Sequence, residues 1–137
     1  VRPAKHRAQL VQVGGRTILD DCYNAAPNSM RAALDALVEI TPPGAQKLAV
    51  LGDMLELGPE STKLHAELGA YATARVDHLI TLGAQAEHMG GSFHTDDPRA
   101  AAGRVRALSR AGDVILVKAS RGMRLERVID ALAEEPA

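Results

Sequence analysis

At 137 residues, 46% of them apolar, the chain is sized for one domain with a core of its own, independent of disulfides or metals for folding. A formal net charge of −1 without a long basic run argues against a nucleic-acid binder, and 2% aromatics leaves no base-stacking platform. The single cysteine excludes an internal disulfide and fits a reducing cytosol, and no apolar run approaches the roughly 20 residues of a membrane span. Val1 in place of Met reads as an excised fragment or a processed product, with no secretory leader expected before it.

Residues 8–13 and 16–21 read as strands around Gly14-Gly15, a pair suited to the positive φ angles of a tight hairpin turn. The apolar stretch Thr17-Ile18-Leu19 stops at a polar crossover, Asp21-Cys22-Tyr23-Asn24-Ala25-Ala26-Pro27-Asn28-Ser29-Met30. Met30, Ala33, Leu34, Leu37 and Val38 then recur at helical spacing on one face, with Asn28 or Ser29 as the expected cap. Thr41-Pro42-Pro43-Gly44 ends that helix, and residues 48–51 form an apolar run expected of a strand buried on both faces. Pro59-Glu60-Ser61 opens a second helix, marked by Leu64, Leu68, Tyr71 and Ala72. Residues 78–82 make the next strand, closed by Gly83; 84–97 reads as a short helix and a brief strand near Phe93.

Asp97-Pro98 is a cap followed by proline at the first helical position. Residues 114–117 give another buried strand, and Leu125, Val128, Ile129 and Leu132 the stripe of a last helix. Strands alternating with amphipathic helices predict an α/β fold. The expected form is Rossmann-like and doubly wound: a mostly parallel sheet, helices on both faces and an N-terminal β-hairpin, all in one domain spanning 1–137.

Three polar clusters follow strand ends: residues 21–24, Gly52-Asp53-Met54-Leu55-Glu56-Leu57-Gly58, and Lys118-Ala119-Ser120-Arg121-Gly122. In a parallel sheet their loops share one edge, where α/β folds bind ligands. The last cluster offers an ammonium, a hydroxyl and a guanidinium just before a helix start, a combination suited to phosphate or carboxylate. It is not a Walker loop, because the chain has no Gly-x-x-x-x-Gly-Lys-Ser/Thr. Asp53 and Glu56 read as turn and cap groups rather than an acid–base pair, and His65 as a histidine at the core's edge. His88, His94, Asp96 and Asp97 lack a metal-ligand spacing, so no metal site is expected. Cys22 stands beside Asp21, whose charge opposes thiolate formation.

These loops resemble the C-terminal domain of the Mur ligases, nearest to those that add D-alanyl-D-alanine to UDP-N-acetylmuramoyl-tripeptide. The Asp-x-Tyr-Asn-Ala-x-Pro-x-Ser-Met pattern is met by Asp21, Tyr23, Asn24, Ala25, Pro27, Ser29 and Met30. Gly-Asp-Met-x-Glu-Leu-Gly is met over residues 52–58, and Val-Lys-x-Ser-Arg by Val117, Lys118, Ser120 and Arg121. Three positions depart from the common pattern: Ala26 for Asn, Asn28 for Asp, and Ala119 for Gly.

The resemblance implies a cytoplasmic enzyme of peptidoglycan synthesis with three domains, of which this is the last. ATP and Mg would be held mainly by a central domain, and the UDP-sugar by an N-terminal one. Arg7 and Asp21 would contact the nucleotide, and Asn24, Ser120 and Arg121 the acceptor dipeptide. No residue of this domain would be catalytic, and the domain alone would be inactive. Two alternatives are a receiver-like phosphoacceptor built on Asp20, Asp21, Asp53, Thr81 and Lys118, and a catalytically silent nucleotide-binding domain. Against the first, Asp53 follows a glycine beyond its strand, and the leading hairpin has no place in that fold.

Overall fold

The computed structural model describes residues 9–22 and 25–134, with Arg121 described by its backbone alone. Strands β1 (Gln9–Val13) and β2 (Arg16–Asp21) pair antiparallel, from Gln9 opposite Asp20 to Val13 opposite Arg16. Gly14 and Gly15 turn the hairpin at φ 59° and 80°, a conformation that disfavours any residue with a Cβ. Helix α1 (Pro27–Ile40), β3 (Lys47–Gly52), α2 (Ser61–Thr73), β4 (His78–Leu82) and β5 (Phe93–Thr95) follow. The chain ends with α3 (Pro98–Leu108), β6 (Val114–Lys118) and α4 (Glu126–Ala133), and 3-10 turns occupy Gly58–Glu60, Ala86–Met89 and Arg121–Met123.

The six strands order β1-β2-β6-β3-β4-β5, and every pair except β1–β2 is parallel. Period-two alternation sends side chains to two cores. Leu19, Ala49, Leu51 and Leu116 pack with Met30, Leu34 and Leu37 of α1 and Leu68 and Ala72 of α2. Ile18, Val50, Ile115 and Val117 pack with Ala101 and Val105 of α3 and Val128, Ile129 and Leu132 of α4. The helices that follow β2 and β3 thus cover one face, and the helix that follows β6 covers the other. Because β6 lies between β2 and β3, the chain diverges on both sides of its carboxyl end. That divergence opens the crevice in which such sheets take ligands.

The doubly wound sheet and leading hairpin match the pattern reading, as do the short helical turn and strand within 84–97. Two local expectations fail. Val38 is 43% exposed rather than on the buried face of α1, whose stripe is Met30, Ala33, Leu34 and Leu37. Neither Asn28 nor Ser29 is the cap of α1: Pro27 already occupies its first turn and Ala26 is the cap residue, at φ −135° and ψ 162°. Ser29 instead reaches back, its Oγ accepting from the Ala26 N–H at 2.9 Å. Proline at the first helical position forfeits no helical hydrogen bond, which moves the start upstream of the polar pair.

Candidate functional site

The carboxyl ends of β2, β6 and β3 form one row: Asp21 pairs in register with Lys118, and Lys118 with Leu51. Lys118 is 2% exposed, and its Nζ lies 2.8 Å from Oδ2 of Asp21, whose side chain is 16% exposed. Alternation places both on the α1 side of the sheet, with Leu19 and Leu116 one step back along their strands. The ammonium expected as a ready anion contact is therefore an internal group committed to a carboxylate. Nor does the segment run straight into an α-helix, since the 3-10 turn intervenes and α4 begins at Glu126.

Ser120 ties two loops of the crevice together. Its N–H donates to the Asp53 carbonyl at 3.0 Å, and its Oγ accepts from the Leu55 N–H at 2.9 Å. Asp53, 7% exposed, turns its carboxylate the other way: Oδ1 accepts from the N–H groups of Gln85 (3.0 Å) and Ala86 (2.7 Å). It is the capping group it was expected to be. A Cβ at Gly83 (φ +105°) would collide with that carboxylate, which explains the glycine there. Glu56 takes φ 62° at the exposed tip of the same loop, a turn residue in the left-handed region.

His65 is wholly buried rather than at the core's edge, and it braces the 52–58 loop from below. Nε2 accepts from the Met54 N–H at 3.0 Å, so the ring's proton resides on Nδ1, 2.8 Å from the Ser61 carbonyl. Sequence reasoning missed this bracing, since nothing in a helix pattern pairs His65 with a loop eleven residues earlier. The Cys22 thiol is held well above its ordinary pKa: burial is the main cause, followed by Asp20 and Glu126, with Asp21 the least of them. Its Sγ lies 3.6 Å from the Val117 carbonyl.

Of the residues expected at the site, Asp21 and Ser120 lie on this edge, and the backbone of Arg121 opens the 3-10 turn beside it. Arg7 and Asn24 fall outside the described residues. Ala119, a departure from the resembled pattern, is fully buried, and a Cβ on Gly52 would meet its methyl at 2.6 Å. The ends of β3 and β6 are thus packed as closely as one methyl allows. Among the described residues no three His, Cys, Asp or Glu side chains gather as a metal ion would require.

The model of the Mur ligase glutamate ligase domain matches residues 6–121. The chain belongs to that family. This Mur ligase domain is 36% identical to the UDP-N-acetylmuramoyl-tripeptide–D-alanyl-D-alanine ligase of Bacillus subtilis, over 95% of its own length and 31% of the relative's. It is 40% identical to the ligase of the same name from Escherichia coli, over 85% of the domain and 27% of that enzyme. Among solved structures, the MurF ligase from Thermotoga maritima in complex with ADP superposes with a TM-score of 0.89 at 32% identity, covering 98% of the domain and 32% of that chain. The Mur ligase domain thus spans about a third of the length of the curated relatives it matches.

Proposed function

We propose that this domain is the C-terminal, acceptor-binding part of an ATP-dependent ligase that joins D-alanyl-D-alanine to UDP-N-acetylmuramoyl-tripeptide in cytoplasmic peptidoglycan synthesis. The observation that carries this reading is a coincidence of two kinds. Ligases of that name align with nearly the whole chain, and the motif segments end adjacent parallel strands at one crevice. In this reading the rest of the ligase comprises an N-terminal domain for the UDP-sugar and a central domain for ATP. ATP would phosphorylate the tripeptide's terminal carboxylate; the dipeptide amine then attacks the acyl phosphate, forming the C–N bond as phosphate leaves.

The domain's own task is orientation. Holding an amine on line with an acyl phosphate removes much of the entropic barrier, and closure of the domain would complete the site. Asp21, partly exposed at the crevice, suits a ribose hydroxyl as donor, with Arg7 a second nucleotide contact. Arg121 would offer the dipeptide carboxylate a bidentate partner, with Asn24 and Ser120 as the other proposed acceptor contacts. Ser120 would contribute chiefly by shaping the loops, because its hydroxyl already accepts from Leu55. In this reading the magnesium ion that accompanies ATP is held mainly by the central domain.

In the full-length ligase, Arg121→Ala should raise KM for D-alanyl-D-alanine by about ten- to a hundredfold, the loss expected of a charge-assisted contact. KM for ATP should stay nearly constant. Steady-state phosphate release at varied dipeptide measures both. An unchanged dipeptide KM in Arg121→Ala and in Asn24→Ala would remove the proposed acceptor site.

A further inference from the structure

We propose that Lys118 is a positioning residue of the nucleotide site, buried at the end of β6 to hold the Asp21 carboxylate in the orientation that receives a ribose hydroxyl. The inference rests on the reading of Asp21 as a nucleotide contact, and it assigns a role to a side chain that touches no substrate. Lys118 is among the largest fully buried side chains of the domain, with Leu51 its register partner on one side and Leu116 two residues back on the same face of its own strand. Burying an ammonium there is costly unless a carboxylate meets it, and an apolar residue of similar volume would pack as well or better. Stability alone therefore gives a weak reason for a lysine at this position.

Geometry supplies a stronger reason. Asp21 is both the last residue of its strand and the first of the polar crossover, so its backbone alone does not fix the carboxylate. The Lys118 ammonium, anchored on the neighbouring strand at the paired register position, fixes it from the buried side at 2.8 Å. The more exposed Asp21 carboxylate borders the crevice, while the cation stays hidden beneath it. An ordered acceptor binds a hydroxyl without first losing rotamer freedom, which is the gain from pre-organisation.

The test compares ATP with 2′-deoxy- and 3′-deoxy-ATP in the full-length ligase, for wild type, Asp21→Asn, Lys118→Met and Lys118→Gln. Wild type should prefer ATP in kcat/KM over the analogue that lacks the contacted hydroxyl. Asp21→Asn should reduce that preference about tenfold. Both Lys118 variants should reduce it several-fold through KM, with kcat at saturating ATP little changed. A merely structural lysine would lower the yield or Tm of its variants and leave the preference intact. Retention of the wild-type preference by whichever Lys118 variant folds, while Asp21→Asn loses it, overturns the positioning role. Retention by Asp21→Asn itself overturns the nucleotide reading of Asp21 instead.

Discussion

Asp113 shows how one side chain can organise the end of the sheet opposite the crevice. It is 3% exposed and accepts from the Gln46 N–H (2.8 Å), the Gln46 side-chain amide (2.9 Å) and the Arg110 N–H (2.9 Å). Burial alone would raise its pKa and is the largest single influence, but the donors of Gln46 and Arg110 together outweigh it, and the carboxyl is held below its ordinary value. A lowered folded pKa contributes stability that is complete above the unfolded value of about 3.9 and disappears as pH falls through the folded value. Asp113→Asn, which turns an amide N–H₂ toward a donor, should cost about 1–3 kcal/mol at pH 7. The gap to wild type should narrow toward pH 3. Urea unfolding at the two pH values measures it, and a gap that does not move with pH would contradict the assignment. At this scale the sequence was partly legible. Asp53 as a turn and cap group followed from its place in a loop after a strand, whereas its partners Gln85 and Ala86 and the burial that dominates at Cys22 come from the fold. So does the burial of Lys118, since only the sheet order sets it beside Asp21.

Among the elements, α1 starts earlier than expected, and the departure is testable. Its cap residue Ala26 already has the extended backbone of a good cap but no side-chain acceptor for the orphan N–H groups of the first turn. Ser29 supplies only the reciprocal half of a capping box. Ala26→Asn should therefore stabilise the domain by about 0.5–1 kcal/mol, seen as a higher Tm; no gain would mean that the first turn is satisfied in another way. Helix α3 needs no such repair, because Asp97 accepts from the Arg99 N–H at 3.0 Å, as Asp97-Pro98 announced. Element types were legible because apolar periodicity differs between strand and helix. The order of the strands was not, because the position of β6 between β2 and β3 depends on which face each crossover takes.

For the molecule as a whole, the wall at the carboxyl edge of the sheet is knitted together by hydrogen bonds: Ser120 to Leu55, Asp53 to Ala86, His65 to Met54. Such a wall is stiff, which suits a domain whose proposed task is to present an amine rather than to break bonds. The wall also lacks a phosphate-binding loop and a metal-ligand cluster among its described residues. In the proposed reading, the facing surface comes from the rest of a ligase. The most direct measurement mixes this domain with the remaining two domains of the proposed ligase and follows phosphate release from ATP with UDP-N-acetylmuramoyl-tripeptide present. Release that needs both the domain and D-alanyl-D-alanine, with formation of the pentapeptide product, is the predicted result. Full activity without the domain, or release indifferent to the dipeptide, would contradict the account.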